Sequence, residues 1–180
     1  VVETKKQAKK LGLTGRLLFL DPFYVDAGFV AACAEVIKEH LQPESTDHVL
    51  LSYHSVPTRH IRKLDPAGFC RIDESCCAEI TKANQNCYRA QCHATSRAVA
   101  SAVGLHTDEV TTCFQSQLGK DEWIGPAFDD LIEETPKRGI KNLAVACPSF
   151  VADCLETLEE IGITGGEEFR EAGGGELTLI

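Results

Sequence analysis

The chain has 180 residues, 43% of them hydrophobic and 25% charged, an ordinary globular composition that excludes a disordered tail, a collagen-like repeat and a small disulfide knot. A formal net charge of −9 argues against a nucleic-acid partner, which needs a surplus of Lys and Arg. No stretch reaches the roughly 18 consecutive apolar residues that span a bilayer, and nothing reads as a signal peptide.

Two further counts set expectations. There is no methionine, and the chain opens Val1-Val2-Glu3, so it reads as a piece of something longer. There are nine cysteines, an odd number in a chain long enough to fold without staples. That suggests a reducing compartment, read as the cytoplasm, and a metal or cluster role.

Taken in order, Lys5, Lys6, Lys9 and Lys10 read as a solvated helix face. Arg16 to Leu20 is a short apolar run closed by Asp21-Pro22, a predicted strand and turn. Asp26 is placed to cap a helix to about Leu41, with Phe29, Val30, Cys33, Val36 and Ile37 at helical spacing and Pro43 beyond it. His48 to Tyr53 is a second strand. A long polar loop from His54 to about Asn86 follows, of a length that is usually functional. A helix from about Cys87 to Val103 ends at Gly104. Further strands are expected at 110–114, 141–147 and 176–180, with helices from Pro126 to about Lys137, from Asp153 to Ile161 with Gly162 ending it, and from Glu167 to Ala172.

Strand and helix alternate, and the strands are continuous apolar runs. The expected architecture is therefore a three-layer, doubly wound parallel α/β sheet with an irregular cysteine-rich insertion. Ligands of such sheets bind outside the carboxyl ends of the strands. That rule selects the segments following them, 21–24, 54–57, 115–123 and 148–156.

Three groups in or near those segments carry chemistry. His54 closes the second strand in Ser52-Tyr53-His54-Ser55-Val56-Pro57, where an imidazole can exchange protons near neutral pH. Asp153, Glu156 and Glu160 are spaced to share one helix face, an acidic stripe suited to a hard divalent cation or to proton transfer. His54 and Glu156 both follow parallel strands at one sheet edge, so they can face one cleft. Third, Cys70, Cys76, Cys77, Cys87 and Cys92 crowd into one segment, while Cys33, Cys113, Cys147 and Cys154 are scattered. Without a Cys-x-x-Cys knuckle, the spacing suits a four-thiolate iron–sulfur cluster better than structural zinc. Adjacent side chains point apart, so the expected ligands are Cys70, Cys77, Cys87 and Cys92, with Cys76 as the alternative.

These segments resemble the ferrochelatase family. Ser52 to Pro57 is similar to its first signature. Phe114-Gln115-Ser116-Gln117-Leu118-Gly119 with Glu122-Trp123-Ile124-Gly125-Pro126 is similar to its second, with Gln117 where Arg is common. Cys147 to Leu158 resembles the third, with Cys154 where many members have His. The resemblance implies an enzyme that inserts ferrous iron, its metal substrate, into a porphyrin, protoporphyrin or coproporphyrin, in haem synthesis.

By the same resemblance, residues 1–180 form one chelatase-like domain, the C-terminal half of an enzyme of two Rossmann-like halves, with the N-terminal half missing. Residues 58–92 form an insertion of the kind that carries a [2Fe–2S] cluster in a bacterial subset. His54 matches the proton-accepting histidine. Glu156 matches the metal-path glutamate, with Asp153 and Glu160 beside it. Tyr88, Trp123 and Phe150 match aromatic positions near the macrocycle. Peripheral contact with a membrane is compatible with this reading. Its rivals are a structural zinc module, a tetrapyrrole- or iron-binding domain without chemistry, and a chelatase for another metal or ring.

Overall fold

A computed structural model describes residues 2–13, 15 and 17–180. Helix α1 (Val2–Lys10) is followed by α2 (Ala27–His40). The Asp26 carboxylate accepts from the amides of Gly28 and Phe29 at 3.0 and 3.1 Å, capping α2 as the sequence predicts. Such a cap is worth about 1 kcal/mol. Strand β1 (His48–His54), α3 (Thr58–Lys63), α4 (Tyr88–Val103) and β2 (Val110–Gln115) follow. Gly104 closes α4 at φ 96°, a conformation that favours glycine. The chain continues with α5 (Phe128–Glu134), β3 (Asn142–Ala146), the single turn α6 (Leu155–Thr157), a π-helix (Leu158–Gly165), α7 (Gly166–Glu171) and β4 (Glu176–Leu179).

The four strands pair in parallel in the order β2-β1-β3-β4. Alternation along β1 divides the core. Val49, Leu51 and Tyr53 pack with Ile37 of α2 and Val99 of α4 on one face. Leu50 packs with Phe128 and Ile132 of α5, Ile161 and Phe169 on the other. Helices therefore cover both faces, as the continuous apolar strands require. Full burial of each leucine contributes about 1.5–3 kcal/mol.

The chain reverses its winding between β1 and β3, so the crevice of this sheet opens at their carboxyl ends. His54 ends one of these strands, and the segment carrying Glu156 leaves the other.

Three local expectations are corrected. The predicted strand 16–20 joins no sheet. Arg16 lies outside the described residues, and 17–20 is extended but unpaired, with Leu18 and Leu20 exposed at 87% and 82%. An apolar run marks a surface that avoids water, and only a neighbouring sheet edge makes it a strand. The long loop after His54 contains α3 and a 3₁₀ turn at Ser75–Cys77. Finally, the helix expected over 153–161 begins at Leu155, and Gly162 does not end it. The chain widens into the π-helix, where Gly165 lies so close to Phe128 that a Cβ would sit 2.9 Å from its ring.

One buried histidine makes stability depend on pH. His93 of α4 lies with its ring 6.0 Å from that of Phe114, and its Nε2 is buried with no partner among the described residues. Burial, helped by the charges of Arg89 and Arg97, pushes its pKa down to about 4. The unfolded chain binds this proton near pH 6.5, so it holds more protons than the folded state between those values. Stability is therefore lost as pH falls through that window. His93→Phe should flatten this part of the pH dependence of the urea midpoint, and an unchanged slope would contradict the assignment.

Candidate active site at the carboxyl edge of the sheet

His54 is half-buried at the end of β1. Its Nδ1 lies 2.7 Å from the Ser55 carbonyl oxygen. A carbonyl only accepts, so Nδ1 carries the hydrogen and Nε2 is the proton-accepting atom. The Tyr88 hydroxyl donates to the His54 carbonyl at 2.8 Å. The Phe150 ring lies 6.4 Å from the imidazole, tilted by 34°.

Glu156 stands on the first turn after β3 and is set from below by Gln115, 1% exposed at the end of β2. The Gln115 amide nitrogen donates to the Glu156 carbonyl, while its oxygen accepts from Ser52 Oγ at 2.7 Å and from Cys147 Sγ at 3.6 Å. One side chain thus joins the ends of β1, β2 and β3 to the turn that carries the glutamate. The Glu156 carboxyl is held below its usual range first by a hydrogen bond with Cys154, then by its own amide and by the charge of His54. His54 and Glu156 therefore share one edge within electrostatic reach.

Glu160 lies behind them. Its carboxylate accepts from Ser116 N and Ser116 Oγ, both at 2.6 Å. Ser116 can present both donors because its φ is 64°, a conformation that few residues other than glycine adopt. Beyond Glu160, Asp129 has its carboxyl pushed up by burial and then by Glu160, Asp130 and Glu133. Crowded carboxylates of this kind favour a cation. Asp153 is set apart. It precedes the helix and lines a groove of about 440 Å³ with Phe29, Val36 and Ile180. The even α-helical face expected for the three acids is not formed, because Asp153 precedes the helix and Glu160 lies in the π-helix.

The aromatic positions divide similarly. Tyr88 lines an apolar cleft of about 250 Å³ with Phe23, Phe29, Tyr53 and Val151. Trp123 pairs through its backbone with Pro57, and its Nε1 is buried with no acceptor among the described residues.

The structure brings together four of the five clustered cysteines. Cys76 Sγ lies 3.9 Å from Cys70 Sγ and 4.0 Å from Cys77 Sγ, and Cys77 shares a hydrogen bond with Cys87. Side-chain acceptors shape the loop. Asp65 accepts from Cys70 N, Asp73 accepts from Cys76 N, and Asn84 donates to the Cys76 carbonyl. Ile72 is held at φ 57°, rare for a β-branched residue.

Cys92, expected among the ligands, is separate from them. It is 4% exposed in the main core with Tyr53, Val99 and Phe114. Five residues along a helix turn a side chain by roughly 140°, so α4 directs Cys92 away from Cys87. Cys76 lies beside Cys70 and Cys77 because the 3₁₀ turn brings neighbouring sulfurs together. Burial pushes the Cys92 thiol up to about 12, whereas the bond to Cys77 holds Cys87 down to about 6. Acidity does not follow this division, since the Cys70 thiol is also pushed up, by burial, and that of Cys77 by its bond with Cys87. Among the described residues, no three His, Cys, Asp or Glu side chains converge as a single metal ion requires.

Sequence reading assigned no role to Gln115 or Ser116, although both lie in a quoted motif. A polar residue closing an apolar strand was the available signal. Gln115→Ala leaves the Ser52 hydroxyl and the Glu156 carbonyl without their partner. It should lower unfolding stability by about 2 kcal/mol or more, measured by urea denaturation. A loss of less than about 0.5 kcal/mol would show the network to be unimportant.

The sequence matches the ferrochelatase family over residues 1–180. A ferrochelatase of Bdellovibrio bacteriovorus is 47% identical over 98% of this chain and 52% of its own length. One from Pseudomonas fluorescens Pf-5 is 44% identical over 100% of this chain and 53% of its own, and one from Pseudomonas syringae is 41% identical with the same coverage. The chain spans about half the length of the curated relatives it matches. The chain belongs to the ferrochelatase family.

Proposed function

We propose that this chain is the second half of a ferrochelatase, which inserts ferrous iron into a porphyrin, protoporphyrin IX or coproporphyrin III, in haem biosynthesis. The observation that carries the reading is that β1 and β3 are paired parallel neighbours, with His54 ending one and Glu156 following the other at the same sheet edge. Insertion exchanges two pyrrole protons for one Fe²⁺, so the site must accept protons and deliver a dication. His54 Nε2 accepts protons, because Nδ1–H is committed to the Ser55 carbonyl. Glu156 hands over the metal, with Glu160 and the acidic residues behind it forming the approach. Hard carboxylate oxygens suit a dication in transit, and the lowered Glu156 carboxyl is ionised at neutral pH.

Tyr88, Trp123 and Phe150 would lie toward the macrocycle. The apolar cleft beside Tyr88 supports this. In this reading the other half of the enzyme closes over the ring, and exposed Leu18, Leu20 and Val151 belong to that face. Asp153, in its separate groove, has a weaker claim to the metal path. Among the described residues, no helix is long and apolar enough to cross a membrane. The cysteine-rich loop suits a reducing compartment, the cytoplasm.

The thiol loop supports a [2Fe–2S] cluster held by Cys70, Cys76, Cys77 and Cys87. A two-iron cluster asks for two thiolates on each iron rather than four about one point, and the sulfurs lie as a chain of near neighbours. Such a cluster supplies a reversible one-electron redox centre when bound. The chain's own part is to hold four sulfurs on a loop braced by Asp65, Asp73 and Asn84.

Two measurements test these readings in the full-length enzyme. His54→Ala should abolish porphyrin metallation, a loss of about a hundredfold or more, while the visible spectrum is retained. Near-normal turnover would refute the role of His54. Cys76→Ser should remove the cluster absorption and Cys92→Ser should leave it. The reverse result would restore Cys92 as a ligand, and one equivalent of zinc with no visible absorption would mean a structural zinc site.

A further inference from the structure

Arg89 lies in the first turn of α4 and is 3% exposed. A guanidinium stays charged at any physiological pH, and burying one without a counter-charge is costly. Among the described residues, no carboxylate forms an ion pair with Arg89. Its partners are carbonyls and a sulfur. Nη1 donates to the Asp73 carbonyl at 2.8 Å and to Cys77 Sγ at 3.2 Å. Nε and Nη2 form a fork on the Gly125 carbonyl at 3.1 and 2.9 Å. The Phe114 ring faces the cation with its centroid 6.0 Å away. The sulfurs beside Arg89 are the groups that can carry the missing negative charge.

The other end of the fork leads to the site. Gly125 follows Trp123 and Ile124. Ile124 N donates to the Val56 carbonyl at 3.1 Å, and its own carbonyl accepts from Ser55 Oγ at 3.0 Å. Ser55 is the residue whose carbonyl orients His54. Arg89 thus touches the thiol loop on one side and, on the other, a segment fastened to the end of β1. Its neighbour Tyr88 holds the His54 carbonyl from the same helical turn.

We propose that Arg89 is a positioning residue that clamps the thiol loop to the Trp123–Pro126 segment, with cluster-bound sulfur at Cys77 as its counter-charge. The proposal rests on the cluster reading above. A bound cluster fixes negative charge against the guanidinium, which then keeps its fork on Gly125. Without that charge the cation is driven toward water, and the wall beside the porphyrin loosens. A positive charge donating to a cluster sulfur also favours the reduced form and raises the reduction potential.

The test uses the full-length enzyme with Arg89→Gln, which removes the charge, and Arg89→Lys, which keeps it but loses the fork. Iron and acid-labile sulfide, the cluster midpoint potential, and KM and kcat for the porphyrin are measured. Arg89→Gln should lower the midpoint potential, and Arg89→Lys should leave it near the native value. Both should raise KM by about three- to tenfold, as for loss of one hydrogen bond, with a smaller change in kcat.

Cluster-replete variants with native potential and native KM would overturn the proposal and leave the cluster reading standing. If Arg89→Gln does not fold or load iron, Arg89→Lys decides, because a native KM there removes the clamp. Native enzyme without visible absorption or labile sulfide would overturn the cluster reading itself, and with it the counter-charge assigned to Cys77.

Discussion

Gln115 has one carbonyl oxygen and one amide nitrogen, and both are used where the ends of three strands meet. A buried amide must find partners or bear a desolvation cost. The partners available are the Ser52 hydroxyl, the Cys147 thiol and the Glu156 carbonyl. Satisfying this side chain therefore sets the height of the turn that carries Glu156 relative to β1 and His54. The next residue, Ser116, repeats the device by holding Glu160 with two donors. Glu156 and Glu160 are thus both placed through the strand that carries neither of them.

This arrangement explains why the site sits at the switch point. Strands β1 and β3 are neighbours, but the connections from them depart over opposite faces of the sheet. Their carboxyl ends diverge and leave a crevice. One wall offers the His54 imidazole with its Nδ1 hydrogen bound to the Ser55 carbonyl, the other the Glu156 carboxylate. The fold supplies the separation, and the buried polar contacts supply the fine placement.

The cysteine loop is attached to this edge through the first turn of α4. Cys87, Tyr88 and Arg89 are consecutive and point to three destinations: the sulfur group, the carbonyl of His54 and the carbonyl of Gly125. A short helical turn is stiff, so a change at one of these contacts is felt at the others. The loop is therefore joined mechanically to the site.

Much of this was legible in the order of residues. Continuous apolar runs separated by helix-period segments specify a parallel sheet covered on both faces, because no other arrangement buries them. Asp26 and Gly104 announce their helix ends through local chemistry alone. The rule that ligands sit beyond strand ends singled out the segments of His54 and Glu156, which do follow neighbouring parallel strands. Tertiary structure decided what depends on neighbours distant in the chain. Residues 17–20 have strand composition but no adjacent edge. Asp153 lies off the helix face because the helix starts only at Leu155. Cys76 rather than Cys92 lies beside Cys70 and Cys77 because a 3₁₀ turn and an α-helix rotate successive side chains by different amounts. Nothing in the sequence singles out Arg89. Only the folded chain shows it buried, where a charge that cannot be shed must find an anion.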